Sequence, residues 1–207
     1  MRIVSDGIYY ACGLTFGGLA LSYFLTPWVG IPFYVLAAFC LYFFRDPDRV
    51  PPPIEAIVAP ADGKVVAVRE LGGGRTRISI FLNIFDVHVN RTPIPGTVTA
   101  VNYRKGKFLV ASHEAASLEN EQNTLIVEGN GSRVVCRQIA GLIARRIVCY
   151  KHVGDALAPA ERIGYIKFGS RVDVLFGPEW ITVVKPGDRV AAGTSILANR
   201  VANQEAV

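Results

Sequence analysis

Two hydrophobic patterns follow one another along this chain. Residues 7–44 contain no Asp, Glu, Lys, Arg or His; drawn out as one straight helix they would reach roughly 57 Å, nearly twice a bilayer core. One span cannot use that length. The segment Thr26-Pro27-Trp28-Val29-Gly30-Ile31-Pro32 interrupts it, because proline removes an amide donor and clashes with the preceding turn. The pattern therefore predicts two helices, about 8–25 and 33–44, folded as a hairpin with both ends on one side. The first is just long enough to span, whereas the second is so only if it starts near Trp28; a re-entrant or interfacial pair is the alternative. Residues 1–44 thus read as a hydrophobic membrane anchor, with Arg45 and Arg49 on the cytoplasmic side. Residues 45–53, ending in Pro51-Pro52-Pro53, read as a stiff linker.

From Ile54 onward the period changes to two. Short runs of Val, Ile and Thr alternate with glycine-containing turns at 61–63, 72–74, 94–96, 129–131 and 185–188. This predicts a mainly β domain over 54–207, a compact sandwich or barrel-sandwich with biotinyl/lipoyl-like elements. Helix is expected there only near 112–117, with a turn at 159–162. The strand-like text after Gly63 and after Gly96 looks like two halves of one motif, and Lys185-Pro186-Gly187-Asp188 adds a turn of the same style.

Composition sharpens this picture. A hydrophobic fraction of 51% excludes disorder of the charged, low-hydrophobicity kind. The net charge is +5, all of it beyond residue 44 because Arg2 and Asp6 cancel. No Lys/Arg run is longer than Arg145-Arg146, so no nucleic-acid partner is expected and an anionic lipid surface fits better. Four scattered cysteines without a CxxC pair, beside three scattered histidines, suggest neither a disulfide framework nor a metal site.

Two places could carry chemistry. In Asp86-Val87-His88-Val89-Asn90 the alternation sets Asp86, His88 and Asn90 on one face and the valines on the other. An imidazole titrates near neutral pH and can move protons. His113 and His152 have ordinary polar neighbours and read as structural. The second place is Gly169-Ser170, inside the apolar stretch 163–176. A small flexible pair there can bring a serine hydroxyl against the preceding carbonyl, the approach that an N-to-O acyl shift needs. Gly131-Ser132 is the same pair in a polar turn and serves as an internal control. No GxSxG surrounds Ser170, so a nucleophile-elbow esterase has no support.

Four motifs in order, Ala59-Pro60-Ala61-Asp62-Gly63-Lys64, the stretch 81–93 around His88, Asn120-Glu121, and 163–173 around Gly169-Ser170, together resemble the phosphatidylserine decarboxylases of the short prokaryotic type. The resemblance implies an inactive proenzyme (zymogen) that cuts itself between Gly169 and Ser170. Ser170 would become a covalent pyruvoyl group, leaving a β chain 1–169 associated with an α chain 170–207. It implies decarboxylation of phosphatidylserine to phosphatidylethanolamine through a Schiff base to that group, without pyridoxal phosphate or metal. Partners are then the phospholipid and the cell membrane, with the catalytic domain on its cytoplasmic side; a homo-oligomer is left open. The carbon left after CO₂ departs must then be protonated, and His88 is the best-placed acid in the sequence, while Asp62 falls on an aspartate of the family that assists self-cleavage. Longer members carry a second histidine where this chain has Arg91, so either His88 serves both steps or another group, such as Asp62 through water, activates Ser170. Two other readings compete: a non-enzymatic membrane-anchored adaptor or carrier module, and a decarboxylase of another phosphoserine-headed lipid such as archaetidylserine.

Overall fold

The structure, a computed structural model, describes residues 1–107, 119–141, 146–167 and 170–201. It comprises two compact units, Met1–Asp48 and Arg49–Val207. In the first, β1 (Arg2–Ile3) pairs with β2 (Arg45–Asp46), Arg2 opposite Asp46, and so ties the two ends of a helical hairpin together. Between them run α1 (Ser5–Phe24), a 3-10 turn (Pro27–Gly30) and α2 (Ile31–Phe43). Glycines let the helices approach: a Cβ on Gly18 would lie 2.8 Å from the Tyr34 ring, and one on Gly30 would lie 2.1 Å from Ser22 Oγ.

The hairpin is shorter than a spanning pair requires. The 3-10 turn takes up Pro27–Gly30, so α2 begins only at Ile31. It rises about 20 Å against a hydrocarbon core of about 30 Å. No helix among the described residues is long and apolar enough to cross a membrane. Phe16, Tyr23, Phe24 and Trp28 are nonetheless exposed on its surface.

The second unit is mainly β, as the period-two text predicts. Its strands are β3 (Ala56–Val58), β4 (Gly63–Leu71), β5 (Arg75–Leu82), β6 (Val89–Arg91), β7 (Gly96–Arg104), β8 (Gln122–Gly129), β9 (Ser132–Ala140), β10 (Ile147–Cys149), β11 (Ala156–Leu157), β12 (Arg162–Ile166), β13 (Ser170–Phe176), β14 (Trp180–Thr182), β15 (Arg189–Val190) and β16 (Ile196–Arg200). Eight form one curled sheet, in the order β11-β7-β8-β9-β13-β5-β4-β15. Two three-stranded sheets, β10-β12-β6 and β14-β16-β3, complete it.

These pairings reveal an internal duplication. Reading inward from either edge of the large sheet gives matched strands: β11 with β15, β7 with β4, β8 with β5 and β9 with β13. The registers agree. Thr97 faces Glu128 as Lys64 faces Phe81, and Ser132 faces Gly129 as Ser170 faces Leu82. β7 and β4 carry matching bulges at Val98/Ala100 and Val65/Ala67. The turns preceding β11 and β15 also match: Asp155 accepts the His152 amide at 2.8 Å and Asp188 that of Lys185 at 2.9 Å. The unit is therefore two copies of one fold, with β6–β12 inserted between β5 and β13 of the other. The resemblance after Gly63 and Gly96 is one trace of it.

Both copies share one core, in which Ile57, Ile80, Leu82, Val98, Leu125, Val172 and Leu197 have no exposure. Pro159 and Ala160 form the expected turn, with Ala160 at φ 53°. The helix expected at 112–117, and His113 with it, lie outside the described residues.

Candidate active site

Ser170 is the first residue of β13, the strand held between β5 and β9, where it pairs with Leu82 and Ala140. Strand alternation turns Ser170, Val172 and Val174 toward the core and Arg171 and Asp173 to the opposite face. There Arg171 Nε donates to Asp173 Oδ1 at 2.7 Å and Arg171 Nη2 donates to Ser79 Oγ at 2.7 Å. Ser170 is fully buried, and its Oγ has no hydrogen-bond partner among the described residues. Most buried hydroxyls are bonded, so this one calls for a reason. Gly169 lies outside the described residues.

His88 closes the loop that leaves β5 at Leu82, the partner of Ser170. Asp86 shapes the loop: Oδ2 accepts the Asn83 amide at 2.9 Å, and Oδ1 accepts Arg189 Nη2 at 2.7 Å. The loop returns beside β12, where His88 O accepts the Ile166 amide at 3.3 Å, just ahead of Ser170 in the chain. Ser170 and His88 thus occupy the same end of the sheet. The ring is buried, with Nδ1 2.9 Å from Asp86 O. A carbonyl only accepts, so Nδ1 carries the proton, and in the neutral ring Nε2 is the basic nitrogen.

Asp62 stands just before β4, on the far side of β5. Arg49 Nη2 grips both its oxygens at 3.0 and 2.8 Å, and the Ala192 amide donates to Oδ1 at 2.7 Å. No hydrogen bond joins Asp62 to Ser170 or His88 among the described residues. Arg91 sends Nη1 to Ala160 O at 3.0 Å, and its Cδ lies 3.0 Å from where a Cβ on Gly193 would be. Arg49, read from the sequence as part of a linker, therefore supplies the partner of Asp62.

A chain of buried amides was missed by the sequence reading. Asn123 Nδ2 donates to Gln138 Oε1 at 3.1 Å, and Gln138 Nε2 donates to Asn90 Oδ1 at 2.9 Å. A signal existed. Gln138 alternates with Val134, Cys136 and Ala140, and Asn123 with Leu125 and Val127, so each is an amide on an otherwise apolar strand face. At the start of β12, Lys151 Nζ donates to Glu161 Oε1, while Glu161 Oε2 accepts the Ala158 amide at 2.7 Å. The Lys151 hydrogen bond, with help from that amide, holds the Glu161 carboxyl below its ordinary pKa despite partial burial.

The chain matches known proteins over nearly its whole length. A family model described as phosphatidylserine decarboxylase covers residues 36–198. A phosphatidylserine decarboxylase proenzyme of Solibacter usitatus is 59% identical over 97% of this chain and 98% of its own. The proenzymes of Magnetococcus marinus (87% of this chain, 88% of its own) and Beijerinckia indica (94% and 88%) are each 45% identical. With a model match across most of the chain and relatives this near, the chain belongs to the phosphatidylserine decarboxylase family.

Proposed function

We propose that this chain decarboxylates phosphatidylserine to phosphatidylethanolamine, using a pyruvoyl group that it makes from its own Ser170. The observation that carries the reading is the orphaned, fully buried Ser170 hydroxyl at the mouth of a central strand. Its small neighbour Ala140 and its dry surroundings suit a compact carbonyl group at that position. In maturation, Ser170 Oγ attacks the Gly169 carbonyl, an ester replaces the amide, and the freed nitrogen takes the hydroxyl proton. Loss of the Cα proton expels the Gly169 carboxylate and leaves dehydroalanine; water then replaces its nitrogen, released as ammonia, to give the ketone. When present, the group supplies an electrophilic carbonyl and an electron sink for the pair left as CO₂ departs.

His88 serves as the proton carrier. With Nδ1–H committed to Asp86 O, Nε2 takes up a proton and delivers one to the substrate carbon after CO₂ loss. Asp62, clamped by Arg49, acts in self-cleavage by fixing the turn ahead of β4. The cut at 169/170 yields chains 1–169 and 170–207, held together by the ladders on both sides of β13. The apolar surface of α1 and α2 embeds the enzyme at the cell membrane from the cytoplasmic side.

Intact mass of the purified protein tests the core of this reading. The expected result is two chains split between 169 and 170. Ser170→Ala gives one chain and no CO₂ release, whereas Ser132→Ala, at the duplicated position, changes neither. A single unsplit, active parent chain overturns the proposal.

A further inference from the structure

The amide chain ends on a donor with nothing to give to. Asn123 Nδ2 bonds Gln138 Oε1, and Gln138 Nε2 bonds Asn90 Oδ1. The direction of both bonds leaves the amide nitrogen of Asn90 as the terminus. That Nδ2 is buried without a partner among the described residues, on a residue with no exposure. A buried amide hydrogen lacking an acceptor is costly, and native proteins keep such groups where a ligand supplies the missing partner.

The duplication provides an internal comparison. Asn90 faces Gly164 as Ile57 faces Ala198, and Gln138 faces Asn123 as Phe176 faces Thr76. At the equivalent place in the other copy the trio is therefore Ile57, Phe176 and Thr76, and Ile57 and Phe176 belong to the hydrophobic core. The fold is completed there without amides. Asn90, Gln138 and Asn123 thus answer a need of one end of the molecule, the end that holds Ser170.

The trio also lies close to the reacting position. Gln138 shares its strand face with Ala140, which pairs with Ser170, and diagonal cross-strand neighbours stand about 7–8 Å apart. Asn90 reaches down onto Gln138 from β6, two residues beyond His88.

We infer that Asn90 contacts the substrate, with Nδ2 donating a hydrogen bond to the carboxylate of the lipid's serine headgroup. This rests on the decarboxylase reading above. The carboxylate is borne by the same carbon as the amine that must meet position 170, so it comes nearest to a donor beside Ser170. A neutral amide suits the step better than a cation, because it orients the carboxylate without strongly favouring a charge that must vanish as CO₂ leaves. Gln138 and Asn123 are positioning residues that hold the Asn90 amide the right way round.

The test uses the full-length processed enzyme with Asn90→Ala and Asn90→Asp. Intact mass first establishes the split at 169/170. Calorimetry then measures binding of two short-chain lipids: the desamino analogue, a phospho-3-hydroxypropionate ester that keeps the carboxylate but has no amine to condense, and phosphatidylethanolamine, which lacks the carboxylate. Expected are normal splitting, a loss of tenfold or more in affinity for the analogue in both variants, and less than twofold change for phosphatidylethanolamine. Asn90→Asp keeps the volume and the acceptor for Gln138, so it carries the test should the alanine variant not fold; it also sets like charges together and weakens the analogue further. Unchanged affinity for the analogue overturns the inference. So does equal loss for both lipids, which places the contact on the phosphate, and so does failure of a folded Asn90→Asp chain to split. If the parent itself does not split, the pyruvoyl reading falls, while the two affinities still decide the role of Asn90.

Discussion

At the scale of residues, the proposed proton traffic rests on one nitrogen. Nδ1 of His88 is held by Asp86 O, so in the proposed mechanism the exchangeable proton sits on Nε2, and position 91 is an arginine and not a second histidine. His88→Ala is expected to mature slowly, and its split form to bind substrate but turn over about 10²–10⁴-fold more slowly. Single-turnover CO₂ release on the split variant is the measurement; full activity would remove His88 from the chemistry. Gly63 makes a different demand. At φ +150°, a Cβ there would lie 2.2 Å from Phe81 O, whereas one on Gly72 meets nothing within 4 Å. Gly63→Ala should therefore lower stability by about 2–4 kcal/mol while Gly72→Ala stays near neutral, read from urea midpoints. Ser170 and His88 stood out in the sequence only as candidates, one a small flexible pair in apolar text and one an imidazole on a polar strand face, and it was the family resemblance that singled them out. The Arg49 clamp on Asp62 was not legible, because no local pattern tells a linker arginine which carboxylate it will meet.

Elements were legible to the extent that their pattern was local. The Val-, Ile- and Thr-rich runs and their glycine turns gave the strands, and Pro27 to Pro32 gave the break between α1 and α2. What could not be read was pairing at a distance: nothing in the text of β13 says that it will lie between β5 and β9. The ribbon of β10 and β12 offers an electrostatic test. The Lys151 hydrogen bond depresses the pKa of Glu161 in the folded state, so its contribution is present above the ordinary glutamate value of about 4.3 and is lost as pH falls through that value and below it. Glu161→Gln should be less stable than the parent at pH 7, and the difference should shrink as pH falls below the ordinary glutamate value. Urea midpoints across that range check the sign.

At the scale of the molecule, the proposed membrane attachment rests on the exposed aromatic residues of the hairpin, since no helix among the described residues is long and apolar enough to cross a bilayer. High-salt washing should leave the protein in the membrane pellet, because burial of Phe16, Phe24 and Trp28 is apolar and not screened; release by salt alone would argue for an electrostatic attachment.

The inserted copy has one more consequence, and it concerns time. In one copy β8 turns straight into β9 through Asn130-Gly131, whereas β5 reaches β13 only by way of seven intervening strands. Scission at 169/170 would leave the native ladders in place yet change the order of the folding reaction. The uncut chain refolds as one molecule, but the cut enzyme must recapture a separate four-stranded piece. Its unfolding midpoint should rise with protein concentration, while that of uncut Ser170→Ala stays fixed. Processing would then act as a ratchet, giving an enzyme that once unfolded at cellular dilution has lost its way back.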